Sequence, residues 1–157
     1  MKPNLKYLDV ISQFQPTIYS ENDRRFINRI FYQGIDKYID RLRAIGFNNL
    51  NCVLDAGCGY GQWSLGLSYL NNQVYSFDVS AERVNFLQEL TNLNSIKNIS
   101  SKTSSIELLP YDSNSFDAIF CYGVVFLSPW RESLLELNRV LKPGGKLFVN
   151  YTDIGWY

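Results

Sequence analysis

The 157-residue chain contains no histidine. That absence removes the commonest general base and the commonest metal ligand together. Cysteine is scarce as well. Cys52, Cys58 and Cys121 are odd in number with no close pair, which predicts free thiols in a reducing compartment and no disulfide framework. A zinc site needs three or four suitable ligands at close spacing, and none is visible, so no metal is expected. Net charge is missing too: 15 Lys and Arg balance 15 Asp and Glu, which argues against a protein that works by neutralising nucleic-acid phosphates. No apolar run approaches the roughly 18 residues of a membrane span. The opening "MKPNLKYLDVISQF" lacks the apolar stretch and cleavage site of a secretory signal. A cytoplasmic protein that does not engage a membrane is expected. What the chain does have is 46% hydrophobic and 19% charged residues, the composition of one globular domain.

The first 19 residues carry little pattern, with Pro3 and Pro16 as punctuation. A helix is predicted from Ser20, a suitable N-cap followed by Glu21 and Asp23 in the first turn, where the helix dipole favours acids. Phe26, Ile27, Ile30, Phe31, Ile35, Tyr38, Ile39 and Leu42 recur at helical spacing. Gly34 kinks or splits this stripe, and Gly46 suits a C-cap. From residue 51 the period changes. "CVLDA", "QVYSFDVS", "FDAIFCYGVVFL" and "KLFVNYT" read as strands, and "IKNISSKTSS" as a weaker, polar one. "QWSLGLSYL", "SAERVNFLQELTNLN" and "SPWRESLLELNRVL" read as helices. Ser80 is the N-cap of the second, and the third begins with Ser128 as cap and Pro129 at its first position. "KPGG" reads as a turn. Strands alternating with helices imply an α/β fold with a parallel sheet and right-handed crossovers.

Between the first strand and its helix lies "VLDAGCGYGQWSLGL" (53–67), with Gly57, Gly59 and Gly61 at alternate positions and Asp55 before them. In a doubly wound sheet this turn faces the ligand crevice. Glycine there permits positive φ and lets a ligand approach bare backbone. A phosphate-clamping loop would end in Gly-Lys-Ser/Thr, but Gln62 and Trp63 follow Gly61. The dinucleotide fingerprint G-x-G-x-x-G would need its third glycine at 62 or 64, where the chain has Gln and Ser.

The pattern D-x-G-x-G-x-G in "LDAGCGYG" resembles the first motif of class I S-adenosylmethionine-dependent methyltransferases. Asp78 ends the second strand, 21 residues after Gly57. "LPYDSNSFDAIFC" (109–121) resembles the family's entry to strand four, and "LNRVLKPGGKLFVN" (137–150) its lead into strand five. The resemblance covers about residues 50–151. It implies a Rossmann-like three-layer sandwich with about five parallel strands in the order 3-2-1-4-5. It divides the chain into an N-terminal helical lid (1–48) and an S-adenosylmethionine-binding domain (49–157).

The resemblance also implies roles. Backbone around Gly57, Cys58 and Gly59 borders the methionine part of the cofactor, with Asp55 near its amino group. Asp78 holds the ribose diol and Val79 packs on the adenine. Where relatives often carry an Asp toward the adenine amino group, counting back from Leu109 gives Ser105, with Ile106 next, so the charge is missing there. Tyr122 and Gly123 fall beside the cofactor. Phe126 and Leu127 fall where relatives often place Glu or His, which removes an obvious base. Phe126 and, from the lid, Tyr32 are candidate substrate contacts; Phe31 and Tyr38 are weighed between lid and core. Tyr60, Tyr111, Asp112 and Tyr122 are candidate polar groups near the pocket, and no catalytic residue is assigned.

Family members close the sheet with an antiparallel hairpin, whereas this chain ends at "YTDIGWY", just past strand five. Three readings stay open: a fragment whose remainder builds the substrate site, a homodimer or partner chain covering the strand-five edge, or a cofactor-binding module inactive alone. The leading expectation is a methyltransferase acting on a small molecule, with a nucleic-acid partner disfavoured.

Overall fold

Each strand read from the sequence takes its place in one sheet. The computed structural model describes residues 6–13 and 20–150. Its elements are α1 (Tyr7–Gln13), α2 (Glu21–Phe31), α3 (Asp36–Ala44), β1 (Cys52–Ala56), α4 (Gln62–Leu70), β2 (Gln73–Asp78) and α5 (Ala81–Leu93). After these come β3 (Ile99–Thr103), β4 (Phe116–Cys121), a short 3-10 turn (Val125–Leu127), α6 (Trp130–Val140) and β5 (Leu141–Val149). The sheet is parallel throughout, in the order β3-β2-β1-β4-β5.

β1 and β4 are buried on both faces, which is why "CVLDA" and "FDAIFC" read as continuous apolar runs and not as alternation. Val53, Val74, Ala118 and Phe120 face the layer built by α1–α5, where Ile27, Phe31, Tyr38, Leu42, Trp63 and Phe86 join them. Leu54, Ala56, Phe77 and Ile119 face the opposite way, toward Leu137 and Val140 of α6 and toward Ile106 and Leu109. Phe31 and Tyr38 are therefore core residues, and the N-terminal helices share their core with the sheet.

The caps follow local chemistry. Ser20 Oγ accepts the Asp23 N–H at 3.1 Å while Asp23 Oδ2 accepts the Ser20 N–H at 3.0 Å, a reciprocal capping box. Gly34, at φ +74°, splits the helical stripe into α2 and α3. Ser80 Oγ accepts the Arg83 N–H. At α6 the boundary differs by one residue from the sequence reading: Pro129 occupies the cap position, and Ser128 Oγ pairs with Ser133 Oγ at 2.9 Å.

Two further features depart from the sequence reading. α1 was not legible, being a seven-residue helix held by tertiary contact, with Val10 fully buried and Tyr7 5.4 Å from the Phe31 ring. "KPGG" is a bulge inside β5, not a turn before it. Phe116 pairs with Leu141 but Ala118 pairs with Lys146, so residues 142–145 loop out of the ladder. Asp117 anchors that irregularity, accepting Lys142 Nζ at 2.6 Å and the Cys52 N–H at 2.8 Å. The bond to Lys142 is the main reason its carboxyl is held below the usual range. No helix among the described residues is long and apolar enough to cross a membrane. The last three residues of the predicted strand to Thr152, the ending "YTDIGWY", and Pro3 and Pro16 lie wholly or partly outside the described residues.

Candidate active site at the carboxyl ends of the strands

The central strands β1 and β2 diverge into loops that enclose a cavity of about 670 Å³, a size suited to one small ligand. Its floor is the glycine loop. The N–H groups of Gly57 and Cys58 both donate to Phe77 O, at 2.9 and 2.8 Å, fastening the loop to the end of β2. The glycines divide by purpose. All three have positive φ. A Cβ on Gly57 would lie 2.1 Å from Val124 Cγ2, and one on Gly61 2.4 Å from Leu87 Cδ1. A Cβ on Gly59 would meet nothing within 4 Å. Gly57 and Gly61 are thus required by the protein's own packing, and Gly59 leaves space on the cavity side.

Asp78, only 5% exposed, reaches into the cavity from the end of β2. Its Oδ2 accepts the Gly59 N–H and its Oδ1 the Ser80 N–H, each at 2.9 Å. Arg83 Nη1 stands 3.8 Å from Oδ1. The carboxylate is thereby fixed in place while each oxygen keeps a further acceptor direction. Beside the loop, Gln62 Oε1 is buried with no partner among the described residues.

Of the residues singled out from sequence, Gly57, Cys58, Gly59, Asp78, Val79, Ser105, Ile106 and Tyr122 line this cavity. Asp55, Tyr32 and Phe126 do not. Asp55 turns under the floor toward α4, where its Oδ2 accepts Ser64 Oγ at 2.6 Å and Ser64 Oγ in turn meets Ser76 Oγ at 2.9 Å. Burial, with the Asp78 charge adding to it and the Ser64 bond opposing, pushes the Asp55 pKa up to about 7. Tyr32 follows the last turn of α2 and is 80% exposed, because the stripe that buries Ile27, Ile30 and Phe31 leaves it on the outer side. Phe126 sits in the 3-10 turn and does not line the cavity, whereas Val124 and Leu127 do. Tyr60 also lines the cavity. Tyr111 and Asp112 do not; they border a separate cavity of about 460 Å³ on the α6 face.

Sequence reasoning missed Asn22, Asp23 and Phe26 of α2, Gln62, Arg83 and Glu107, all of which line the main cavity. Glu107 resolves the missing charge at position 105: Ser105 Oγ donates to Glu107 Oε2 at 2.5 Å, so a carboxylate does stand at this wall, two residues further on. A tight turn, marked by the Ser105–Leu108 bridge, produces that offset.

A doubly wound parallel sheet with a ligand crevice beyond the carboxyl ends of its central strands defines a Rossmann-like nucleotide-binding domain. Comparison narrows the class: the family described as "Methyltransferase domain" matches residues 54–149, and the chain belongs to that family. It is 32% identical over 136 residues to "Probable methyltransferase PMT2" of Arabidopsis thaliana, covering 80% of this chain and 21% of that protein. It is 30% identical over 140 residues to "Demethylmenaquinone methyltransferase" of Staphylococcus aureus, covering 76% and 57%. Among solved structures, a SAM-dependent methyltransferase from Aquifex aeolicus superposes with a TM-score of 0.68 at 26% identity, over 96% of this chain and 77% of that one. The chain spans from about a fifth to somewhat over half the length of these curated relatives.

Proposed function

We propose that this chain binds S-adenosylmethionine and places its methyl group before a small-molecule acceptor. The observation that carries the reading is Asp78, whose two oxygens are fixed by the Gly59 and Ser80 N–H groups at the edge of the cavity. A carboxylate held this way suits a vicinal diol, each charge-assisted bond contributing roughly 1.5–3 kcal/mol. The rest of the donor set fits the same ligand. Gln62 Oε1, buried and without a partner among the described residues, suits an ammonium group. The open side of Gly59 leaves room for an amino-acid chain against the backbone. Glu107 and Ser105 offer acceptors to an adenine amino group, with Ile106 and Val79 as its apolar walls. Asp55, spent on Ser64, acts from beneath the floor and not by direct contact.

When bound, S-adenosylmethionine supplies a methyl group already activated by the positive charge on sulfur. The chain's part is to orient the reactants and exclude water, which accounts for roughly 7–11 kcal/mol in well-aligned systems. The described cavity acids are engaged: Asp23 with Ser20 and Tyr60, Asp78 with backbone, Glu107 with Ser105. The Ser20 and Tyr60 bonds hold Asp23 below the usual carboxylate range, making it a poor base, and burial pushes the Tyr60 hydroxyl well up. Such a cavity favours acceptors whose lone pair is available near neutral pH: an amine, an acidic hydroxyl, a thiol or a stabilised carbanion. Curated relatives whose names refer to ubiquinone and menaquinone chemistry support a small-molecule acceptor.

Titration calorimetry with S-adenosylmethionine, S-adenosylhomocysteine and NAD tests the reading. The adenosyl ligands bind, NAD does not, and Asp78→Ala loses most of the affinity. Unchanged binding in that variant would sink the assignment.

A further inference from the structure

The N-terminal half of α2 borders the cavity. Ile27, Ile30 and Phe31 are buried against the sheet, but Asn22, Asp23 and Phe26 line the opening. Asp23 divides its carboxylate between two tasks. Oδ2 closes the capping box with Ser20. Oδ1 accepts the Tyr60 hydroxyl at 2.8 Å, across 37 residues of sequence. A capping box ordinarily carries Glu or Gln at this position; the shorter Asp leaves one oxygen pointing at the glycine loop.

Tyr60 is well placed to hold it. The residue directly follows Gly59 in that loop and is 4% exposed, its ring edge-on to Phe86 at 5.3 Å and tilted against Phe26 at 6.0 Å. The Arg83 guanidinium lies 5.7 Å from the centre of the Tyr60 ring and reaches Asp78 on its other side. Contacts of three kinds therefore link Asp23 to Asp78: a hydrogen bond to Tyr60, the Arg83 guanidinium over the Tyr60 ring, and the Arg83–Asp78 ion pair.

We infer that Asp23, Tyr60 and Arg83 are positioning residues: the Asp23–Tyr60 hydrogen bond latches α2 over the bound adenosyl ligand, and Arg83 links that latch to Asp78. The inference rests on the reading of Asp78 given above. A ligand on Asp78 lies under the turn that the latch holds down. Losing the latch opens the exit path while leaving Asp78 and the Gly59 backbone in place, so the effect falls on release and not on capture.

Stopped-flow binding of S-adenosylhomocysteine, together with hydrogen exchange over residues 21–26 in unligated protein, tests this. Tyr60→Phe deletes one oxygen and keeps the ring. It releases the ligand about tenfold faster with association within twofold, as expected for loss of one hydrogen bond to a charged group, and speeds exchange over residues 21–26. Asp23→Ala, which removes the acceptor, does the same, and the double variant is no worse than Asp23→Ala alone. Ser20→Ala breaks the cap but not the latch; it lowers the melting temperature and leaves the release rate within twofold. The inference is overturned if Tyr60→Phe leaves release or exchange unchanged, or if Ser20→Ala matches it, since the tie is then merely structural. Wild-type protein that binds no adenosyl ligand contradicts the cofactor reading instead, and the exchange data still decide whether the latch exists.

Discussion

The floor and the rim of the cavity are built on different principles. On the floor, Asp55, Gly57, Gly61 and Asp78 are fixed several times over, by backbone hydrogen bonds, by buried hydroxyls and by direct contact with Val124 and Leu87. On the rim, Val79, Leu127 and Tyr122 are 76%, 73% and 46% exposed. The floor belongs to the fold as much as to the ligand: two of the three glycines that look like ligand-approach residues are demanded by neighbouring side chains. The rim side chains stand largely in solvent and form no part of the buried core.

The sharpest test of the floor is a buried charge. Asp55 titrates near 7 in the fold against 3.8 when exposed, because burial disfavours its ionised form. A raised carboxyl contributes stability that is fully present below about pH 3.8 and is lost as pH rises through about 7. The linkage amounts to about 4 kcal/mol at its limit, from about 1.36 kcal/mol per pH unit. Relative to Asp55→Asn, wild-type protein should lose stability steadily from pH 4 to 7 and no further above pH 8. Urea unfolding of both proteins across that range checks it; parallel curves would show that the Asp55 carboxyl is not buried as described.

Next in size is the division among the glycines. Gly57→Ala combines a left-handed φ of +78° with a Cβ 2.1 Å from Val124 Cγ2, and costs about 3 kcal/mol of stability from overpacking and backbone strain. Gly59→Ala meets no protein atom and costs about 1 kcal/mol, yet its methyl occupies ligand space, so adenosyl affinity falls while the fold survives. Thermal melts paired with calorimetry separate the two effects. Equal destabilisation by both variants would erase the distinction drawn between packing and ligand glycines.

Within the ligand half the floor should still outweigh the wall. Asp78→Ala removes a fixed acceptor and leaves two N–H groups unpaired, costing about a hundredfold in affinity, or about 2.7 kcal/mol. Glu107→Gln keeps an acceptor and removes only charge, costing about fivefold, or about 1 kcal/mol. The reverse ranking, read by titration with S-adenosylhomocysteine, would move recognition from Asp78 to the β3–β4 loop.

The same contrast governs what the sequence discloses. The strands themselves, the Ser20 and Ser80 caps and the break at Gly34 are readable because local pattern and backbone geometry decide them, whereas the strand order and the places of Gly57, Gly59 and Asp78 came through the family resemblance. Glu107 and Arg83 are not, because their reach depends on how a turn closes and where a helix starts. "LPYD" illustrates the limit. Arg139 donates to Leu109 O and Tyr111 O while Glu136 accepts the Leu109 N–H, and this clamp draws the segment onto α6. Tyr111 and Asp112 thus leave the cavity to which proximity in sequence had assigned them. No spacing rule encodes that long-range clamp.

The smallest effects test the rim through two aromatic residues, one at the middle of α2 and one just past its end. Phe26 and Tyr32 both belong to the aromatic N-terminal segment, and the sequence reading put Tyr32, not Phe26, toward the substrate. Phe26 is 36% exposed, packs beside Tyr60 and lines the cavity, whereas Tyr32 is 80% exposed and does not. Phe26→Ala should weaken adenosyl-ligand binding by about 1 kcal/mol through lost apolar cover. Tyr32→Ala should change neither affinity nor stability by more than about 0.5 kcal/mol, as for an exposed residue without partners in the site. Side-by-side calorimetry decides the point. If Tyr32→Ala proves the more damaging, the C-terminal end of α2 and not its N-terminal half covers the ligand, and the latch through Asp23 would hold the wrong end of the helix.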